Sequence, residues 1–524
     1  MTMNVAARLF AVASENPDAP ALWARGELLT YSQLMDEVIS IAAGLKKTGL
    51  VRRGDRVAFL TNRTKTAYAS LLAPLFAGAT YVPLNTRFPD KRNRSILETS
   101  GATALIVDQP NLNKAQRLIE SLPVSITVLA PETVGSDLPN PNWMGKDELP
   151  SAAEWSFDSE FCGDTPVYLM FTSGSTGKPK GVPISHLNLL SYVENITNFL
   201  GGVEASDRII QLADLTFDIS VHDIFVCFLN GASLYSVPEN AALMGPRFVQ
   251  ENQLTGWFSV PSTAGLLRQK GQLDTCSMPS LRFTLFCGEA LPSQVAEAWA
   301  IAAPHSAIYN LYGPTEATVA FSGYRYHAGQ SDPPPVVPLG HPFPGQEIGL
   351  FEPGQSVAAK SDGTGEMCLS GSQVMAGYWG SSELNSVSIF EVNGCTWYRT
   401  GDLGTYESQQ GWAFVGRVDH QVKIRGFRVE LQEIEIVLRK LSGRALVAAV
   451  PWPVTQEAGA TGCVAFVAGD PQDTDLILEG CRGFLPDYMV PSAVIFLDNM
   501  PVNSNNKVDY QQLLVKLKNR SQGH

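Results

Sequence analysis

Nowhere in the chain do two cysteines stand in a CxxC pair. The eight of them, Cys162, Cys227, Cys276, Cys287, Cys368, Cys395, Cys463 and Cys481, are scattered. That spacing suggests neither a zinc site nor a disulfide framework, and it fits reduced thiols in a cytoplasm. Positive charge is also in short supply. With 38 Lys and Arg against 51 Asp and Glu the net charge is −13, which argues against a nucleic-acid or anionic-membrane partner. The opening "MTMNVAARLFAVASENPDAP" lacks a basic stretch and an uninterrupted apolar core, so it does not read as a signal peptide. The most apolar long stretch, "YASLLAPLFAGATYVPL", is broken by Pro74, Gly78 and Pro83 and reads as helix, turn and strand rather than as a membrane span. Internal repeats and low-complexity tracts are missing too.

What remains is a long chain, 524 residues and 44% apolar, with material for more than one core. Short apolar runs alternate with helical patterns: "RVAFL" (56–60), "ATALIV" (102–107), "SITVLA" (125–130), "VYLMF" (167–171) and "LRFTLF" (281–286). That alternation predicts an α/β class, with parallel or mixed sheets covered by helices. After about residue 418 the pattern changes to "EIEIVLRKL", "ALVAAV", "GCVAFVA", "LILEGCRGFL" and "SAVIFL", enough for a small α+β unit. The expected division is therefore 1–418 and 419–524, with a cleft for a ligand between the two parts.

"FTSGSTGKPKGV" (171–182) concentrates glycines, hydroxyls and two lysines between an apolar run and the helical "SHLNLLSYVENITNFL". It is not a Walker A loop: the spacing before Lys178 is wrong, and Pro179 disfavours helical geometry at that lysine. GxGxxG is absent as well. Thr172, Ser173, Ser175 and Thr176 offer hydroxyls, Gly174 and Gly177 offer backbone N–H groups, and Lys178 and Lys180 offer counter-charge. Such a loop can wrap a polyphosphate without gripping it rigidly.

The stretch resembles the core signature of the adenylate-forming superfamily, and further motifs follow in that family's order. These are "NLYGPTEATVAF" (310–321), "GEMCLSGSQVMAGYW" (365–379), "YRTGDLG" (398–404), "GRVDHQVKIRGFRVELQEIE" (416–435) and "NSNNKVD" (503–509). "FDISVHDIF" (217–225) and the long "HQVKIRGFRVELQEIE" resemble the amino-acid-activating branch, as found in nonribosomal peptide synthetases. The resemblance implies attack of a carboxylate on the α-phosphate of ATP with loss of pyrophosphate, then transfer of the acyl group to a thiol. By the same resemblance the glycine-rich loop holds the β- and γ-phosphates, Thr315 contacts the α-phosphate and Glu316 holds Mg²⁺. Tyr312, flanked by Leu311 and Gly313, lies along the adenine. Gly288, with Glu289 and Ala290 after it, and Asn310 line the adenine's edge. Asp402 accepts from the ribose hydroxyls, with Arg417 and Phe414 beside the nucleotide.

Lys507 matches the lysine that bridges the substrate carboxylate and the α-phosphate, with Asn506 where the family has glycine. A second departure is Gln432 in place of glycine. Asp419 matches the hinge about which the small part swings, withdrawing Lys507 and bringing Lys423 towards the site. In the amino-acid branch the aspartate at position 218 pairs with the substrate ammonium, because a buried ammonium needs a counter-charge. The remaining pocket positions carry over as Ile219, His222, Ser259, Leu285, Cys287, Leu311, Val319 and Ala320. His222 and Ser259 either hydrogen-bond a small polar group together or satisfy each other. The walls are otherwise apolar, which implies a small neutral amino acid, L-proline first, with serine, threonine, alanine or a β-amino acid behind it. The implied partner is a separate phosphopantetheinylated carrier protein, since no carrier motif follows Lys507. An acyl- or aryl-CoA ligase of the same fold and a catalytically silent adenylate-binding protein are the alternatives. Asp218 weighs against the first, and Lys507, Glu316 and Asp402 weigh against the second.

Overall fold

The computed structural model describes residues 4–47, 49, 51–154, 163–174, 177–238, 244–356, 363–419, 421–455, 459–502 and 508–522. The β-branched runs become strands where the pattern places them. Arg56–Leu60, Ala104–Val107, Thr127–Ala130 and Pro166–Thr172 all belong to one seven-stranded sheet, and Phe283–Phe286 to a nine-stranded one. Arg56–Leu60 runs parallel to both of its neighbours, Thr80–Pro83 and Ala104–Val107. Parallel interior pairs of this kind need helical crossovers, which the intervening periodic segments supply.

The broken apolar stretch forms helix Lys65–Phe76, a turn, and strand Thr80–Pro83. Every residue of that helix after Lys65 is buried, as expected of a helix that is apolar all round. One continuous apolar cluster contains this helix together with residues of both large sheets, such as Phe59 and Tyr81 of one and Leu234 and Leu285 of the other. The helix therefore lies in the layer the two sheets share. A third, antiparallel sheet contains the long strand Cys395–Glu407, which carries Asp402.

One local expectation differs. The glycine-rich loop does not lead directly into a helix, because Lys180–Ser185 forms a strand antiparallel to Pro166–Thr172. The β-branched "VPIS" pairs with the buried strand, so the loop is a hairpin connection. Helix His186–Phe199 then starts at Ser185. The Ser185 hydroxyl accepts from the Asn188 N–H (3.1 Å), and the Asn188 carboxamide oxygen accepts from the Ser185 N–H (2.9 Å). This reciprocal cap satisfies two backbone donors that the helix end leaves open.

From Gln421 onward the chain builds its own layers. Hairpin Gln421–Ile424/Phe427–Glu430 leads into helix Leu431–Ser442, and a three-stranded sheet is formed by Val447–Pro451, Cys463–Ala468 and Val494–Leu497. Among the described residues, the apolar clusters of this part contain only residues from Val422 onward. What crosses the junction is mostly polar. Arg92 pairs with Glu433 at 2.5 Å with both side chains buried, and Lys180 pairs with Glu430 at 3.6 Å. Phe217 meets Phe427 with ring centroids 5.7 Å apart.

Candidate functional site

A cavity opens where the nine-stranded sheet, the antiparallel sheet and the Gln421–Glu430 hairpin meet. Its walls include Asp218, Ile219, Cys287, Gly288, Glu289, Ala290, Leu311, Tyr312, Gly313, Thr315 and Val319. Asp402, Phe414, Arg417, Lys423 and Arg428 complete it with Phe217, Val336 and Leu339. Several of these residues stand at strand ends: Leu311 and Tyr312 close Ala307–Tyr312, and Cys287 follows Phe283–Phe286. Strand ends of a mostly parallel sheet are where such folds place ligands.

At the end expected from the sequence to take the nucleotide, the Tyr312 hydroxyl donates to Asp402 Oδ2 at 2.7 Å, and Arg417 pairs with both Asp402 and Asp419. Burial alone would lower the Arg417 pKa, but Asp419 and Asp402 hold it above its ordinary value, so the guanidinium stays charged. Asn310 does not reach the cavity. Its carboxamide donates to the backbone oxygens of Val337 (3.0 Å) and Pro338 (2.9 Å), and so braces the segment that presents Val336 and Leu339.

Glu316 is fully buried. Tyr378 donates to Glu316 Oε1 at 2.6 Å, and Arg428 Nη1 lies 2.7 Å from Glu316 Oε2. Burial would raise this carboxyl, yet Arg428 and Lys180 hold it down at about 2. The glycine-rich loop is engaged by the same hairpin. Ser173 donates to the Arg428 carbonyl (2.9 Å) and accepts from the Glu430 N–H (3.2 Å). Gly174 has no room for a side chain, since an added Cβ would sit 2.0 Å from the Lys178 carbonyl oxygen. Lys178 stands at the loop's far end before Pro179. Thr172 Oγ1 is buried with no hydrogen-bond partner and lines a small cavity with Asp218 and Thr315. Ser175, Thr176 and Lys507 lie outside the described residues.

At the opposite end of the main cavity, Asp218 sits among Thr315, Lys423 and Cys287. Burial pushes its carboxyl up, against a hydrogen bond from Thr315 and the Lys423 ammonium, which pull it down. Burial and Arg428 lower the Lys423 pKa, while Asp402, Cys287 and Asp218 act to raise it. The Cys287 thiol is pushed to about 12, mainly by burial, so it is a neutral wall and not a nucleophile.

The pocket positions expected from the sequence divide. Asp218, Ile219, Cys287, Leu311 and Val319 come together on the cavity wall, whereas His222, Leu285 and Ala320 are packed behind it. Neither role foreseen for His222 and Ser259 applies. His222 Nδ1 lies 2.7 Å from the Tyr192 hydroxyl, and its ring meets Phe258 edge-on at 4.6 Å. Ser259 accepts from Trp257 Nε1 at 2.9 Å, donates to the Val260 carbonyl, and faces a different cavity. The reason is local: Ser259 is satisfied by Trp257 and Val260, and Tyr192 holds the His222 ring by Nδ1 away from the cavity wall, with Nε2 buried and unpartnered.

Burial pushes His222 down to about 3, so it is neutral in the folded protein. Its contribution to stability is present above its ordinary pKa of 6.5 and is lost as pH falls from there towards 3. His222→Gln is therefore expected to flatten the fall in melting temperature between about pH 6.5 and 4. An unchanged slope in thermal melts across that range would refute this role.

Arg428, Tyr378 and Phe217 were not assigned roles from the sequence. All three lie inside quoted motifs, but only the docked hairpin turns Arg428 onto Glu316. The second cavity, which contains Ser259, lies across Phe217 and Ile219 from the first. Its walls combine Arg63, Arg87, Phe258 and Val260 with Arg425 and Phe427 of the hairpin turn.

Residues 9–379 match the family model described as AMP-binding enzyme. The chain belongs to the AMP-binding enzyme family. This AMP-binding enzyme is 30% identical over 514 residues to the D-alanine–D-alanyl carrier protein ligase of Bacillus licheniformis, covering 96% of this chain and 97% of that one. It is 32% identical to phenyloxazoline synthase MbtB of Mycobacterium tuberculosis, over 95% of this chain and 34% of the synthase. Among solved structures it resembles the Vibrio cholerae adenylation domain AlmE in complex with glycyl-adenosine-5'-phosphate. The TM-score is 0.89 at 34% identity, over 99% of this chain and 98% of that one. The AMP-binding enzyme described here is thus adenylate-forming. Among its described residues no helix is long and apolar enough to cross a membrane.

Proposed function

We propose that this enzyme uses ATP to convert a small neutral amino acid into its aminoacyl-adenylate and then passes the aminoacyl group to the phosphopantetheine thiol of a separate carrier protein. The observation that carries the reading is Asp218, a buried carboxylate on the wall of a cavity otherwise closed by Ile219, Cys287, Leu311 and Val319. A carboxylate there favours an ammonium and disfavours an alkyl or aryl chain. With His222, Leu285 and Ala320 behind the wall, the space beyond Asp218 is shallow. Glycine or alanine suits it better than L-proline, the first candidate from the sequence. The D-alanine ligase and glycyl-adenylate relatives point the same way.

In the first step a carboxylate oxygen attacks the α-phosphorus, the α–β phosphoanhydride bond breaks and pyrophosphate leaves. Asp218 would hold the ammonium, Thr315 would face the α-phosphate, and the loop's backbone and Lys180 would meet the outer phosphates. Lys507 would neutralise charge between the two reacting anions. Among the described residues no three His, Cys, Asp or Glu side chains form a metal cage. Glu316 fits Mg²⁺ as a single carboxylate completed by phosphate oxygens, once Arg428 has withdrawn from it. When bound, the ion supplies neutralisation of phosphate charge.

The docked arrangement suits the second step, in which the thiol attacks the acyl carbon, the acyl–phosphate bond breaks and AMP leaves. Lys423 is in the cavity, and the second cavity gives a thiol a route to Phe217 and the acyl group behind it. Asp419, tied to Arg417, would be the hinge between the parts 1–418 and 419–524.

ATP–pyrophosphate exchange across an amino-acid panel tests the reading. Glycine or alanine is expected to exceed L-proline and L-valine by about tenfold or more, with acetate and propionate at background. Equal exchange with the amine-free acids would sink the amino-acid assignment, and a preference for larger residues would sink the size argument.

A further inference from the structure

Val319 forms part of the wall that limits the amino-acid end of the cavity, and its backbone is unusual. Thr318 and Val319 have φ of 59° and 69°, two consecutive left-handed residues, both β-branched. Such residues rarely adopt positive φ. The Ala320 N–H donates to the Thr318 carbonyl at 2.8 Å, which makes Val319 the centre of a γ-turn in its rarer, strained form. A conformation of this kind persists only where its surroundings over-determine it.

Those surroundings converge on one residue that is not part of the cavity wall, through both its side chain and its backbone. Gln373 is fully buried, and its Nε2 donates to the Ala320 carbonyl at 2.7 Å, just past the strained turn. Its backbone carbonyl accepts from the Thr318 hydroxyl at 2.6 Å, just before it. Gln373 thus clamps both sides of Val319. The clamp is anchored in turn: Gln373 Oε1 accepts from Asn195 Nδ2 at 3.0 Å, and the Gln373 N–H donates to Gln346 at 3.2 Å. Asn195 lies on the same helix as Asn188, whose carboxamide donates to the carbonyls of Ser372 (2.7 Å) and Val374 (3.1 Å), on either side of Gln373. Gly313 completes the fit, because an added Cβ there would sit 2.7 Å from Ala320 Cα.

We propose that Gln373 sets amino-acid specificity at a distance, as a positioning residue that holds Val319 in its left-handed turn so that the Val319 side chain limits the depth of the substrate pocket. This rests on the proposed small-amino-acid reading. Without the clamp, the backbone at 318–319 relaxes to negative φ, the valine leaves its place on the wall, and the pocket loses both its fit to a small side chain and its barrier to a larger one.

The test compares Gln373→Met, which keeps the length of the side chain and the backbone contact with Thr318 but loses the side-chain hydrogen bonds, with the milder Asn195→Ala, which removes the donor to Gln373 Oε1 together with a 3.2 Å bond to the Pro344 carbonyl. For Gln373→Met, the KM for the preferred small amino acid should rise about tenfold while the KM for ATP stays within about twofold. Its preference for that amino acid over L-valine should narrow by about tenfold. Asn195→Ala should move both readouts in the same direction by about threefold, and it carries the test if Gln373→Met does not fold. A purely structural role would lower the melting temperature and leave the selectivity ratio alone; that result, or parallel rises in both KM values, overturns the proposal. If the wild type exchanges with no small amino acid, the substrate reading fails instead. The positioning role is then decided by a crystal structure of Gln373→Met, in which a retained positive φ at Val319 counts against it.

Discussion

Asp218→Asn is expected to lower amino-acid-dependent ATP–pyrophosphate exchange by about 10²–10³-fold, because removing one member of a buried ion pair costs about 3–5 kcal/mol. The size of the effect follows from where the carboxylate sits. It lies on the cavity wall, nearly closed to solvent, within the influence of Lys423 and hydrogen-bonded by Thr315. An ammonium placed beside it gains a charged partner in a site with little water to replace it. Asparagine keeps the shape and removes the charge, so the KM for ATP should change by less than about threefold while the KM for the amino acid rises steeply. Steady-state exchange with each substrate varied in turn separates these outcomes. A fall shared equally by both substrates would mean that Asp218 supports the fold of the site and not the ammonium.

The second large effect concerns the junction. Gly426, in the turn of the Gln421–Glu430 hairpin, has φ of +83°, and an added Cβ would meet Val260 Cγ1 at 2.4 Å and Val260 Cβ at 3.0 Å. Valine has no flexible end that could move aside, and an L side chain at this φ is strained in any case. Gly426→Val should therefore keep the hairpin from seating against the core. On the proposed reaction, the first step uses the small part in its other position, with Lys507 at the cleft and this hairpin away from Val260, so release of pyrophosphate should stay within about threefold of wild type, whereas transfer to an acceptor thiol should fall about 100-fold. Single-turnover transfer from a preformed aminoacyl-adenylate is the measurement. Equal loss in both half-reactions would contradict the separation of the two steps by domain position.

Much of this architecture was legible beforehand, because strands such as "RVAFL" and "SITVLA" are marked by their own side chains, and period and β-branching survive any tertiary context. The motif set marked the nucleotide end for a similar reason, since Tyr312, Asp402 and Arg417 each lie within a contiguous signature. The amino-acid end was harder to read. Its walls come from separate strands, and whether a residue faces the cavity depends on which neighbour satisfies it first. Tyr192 takes His222 from 30 positions away, and Trp257 takes Ser259 from two positions back on the same strand face. The hairpin strand Lys180–Ser185 was hidden because its proline and glycine look like loop. The turn at Val319 was hidden more deeply still. Threonine and valine are among the last residues one would place at positive φ, and the cause lies more than 50 positions away, at Gln373.

On the proposed two-step reaction, the charge pairs at the junction bear on how freely the two parts would exchange places. Arg92 and Glu433, Lys180 and Glu430, and Arg428 and Glu316 all lose water when the hairpin and its helix dock, and regain it on separation. The attraction within each pair is therefore largely cancelled by the hydration given up to form it. No apolar cluster among the described residues adds a large one-way gain across the same boundary. On that reading, docked and undocked forms would differ by little free energy. An equilibrium balanced in this way can be tipped by the few kcal/mol that separate one bound ligand from the next, so that whichever nucleotide or thiol occupies the cleft selects the arrangement it needs.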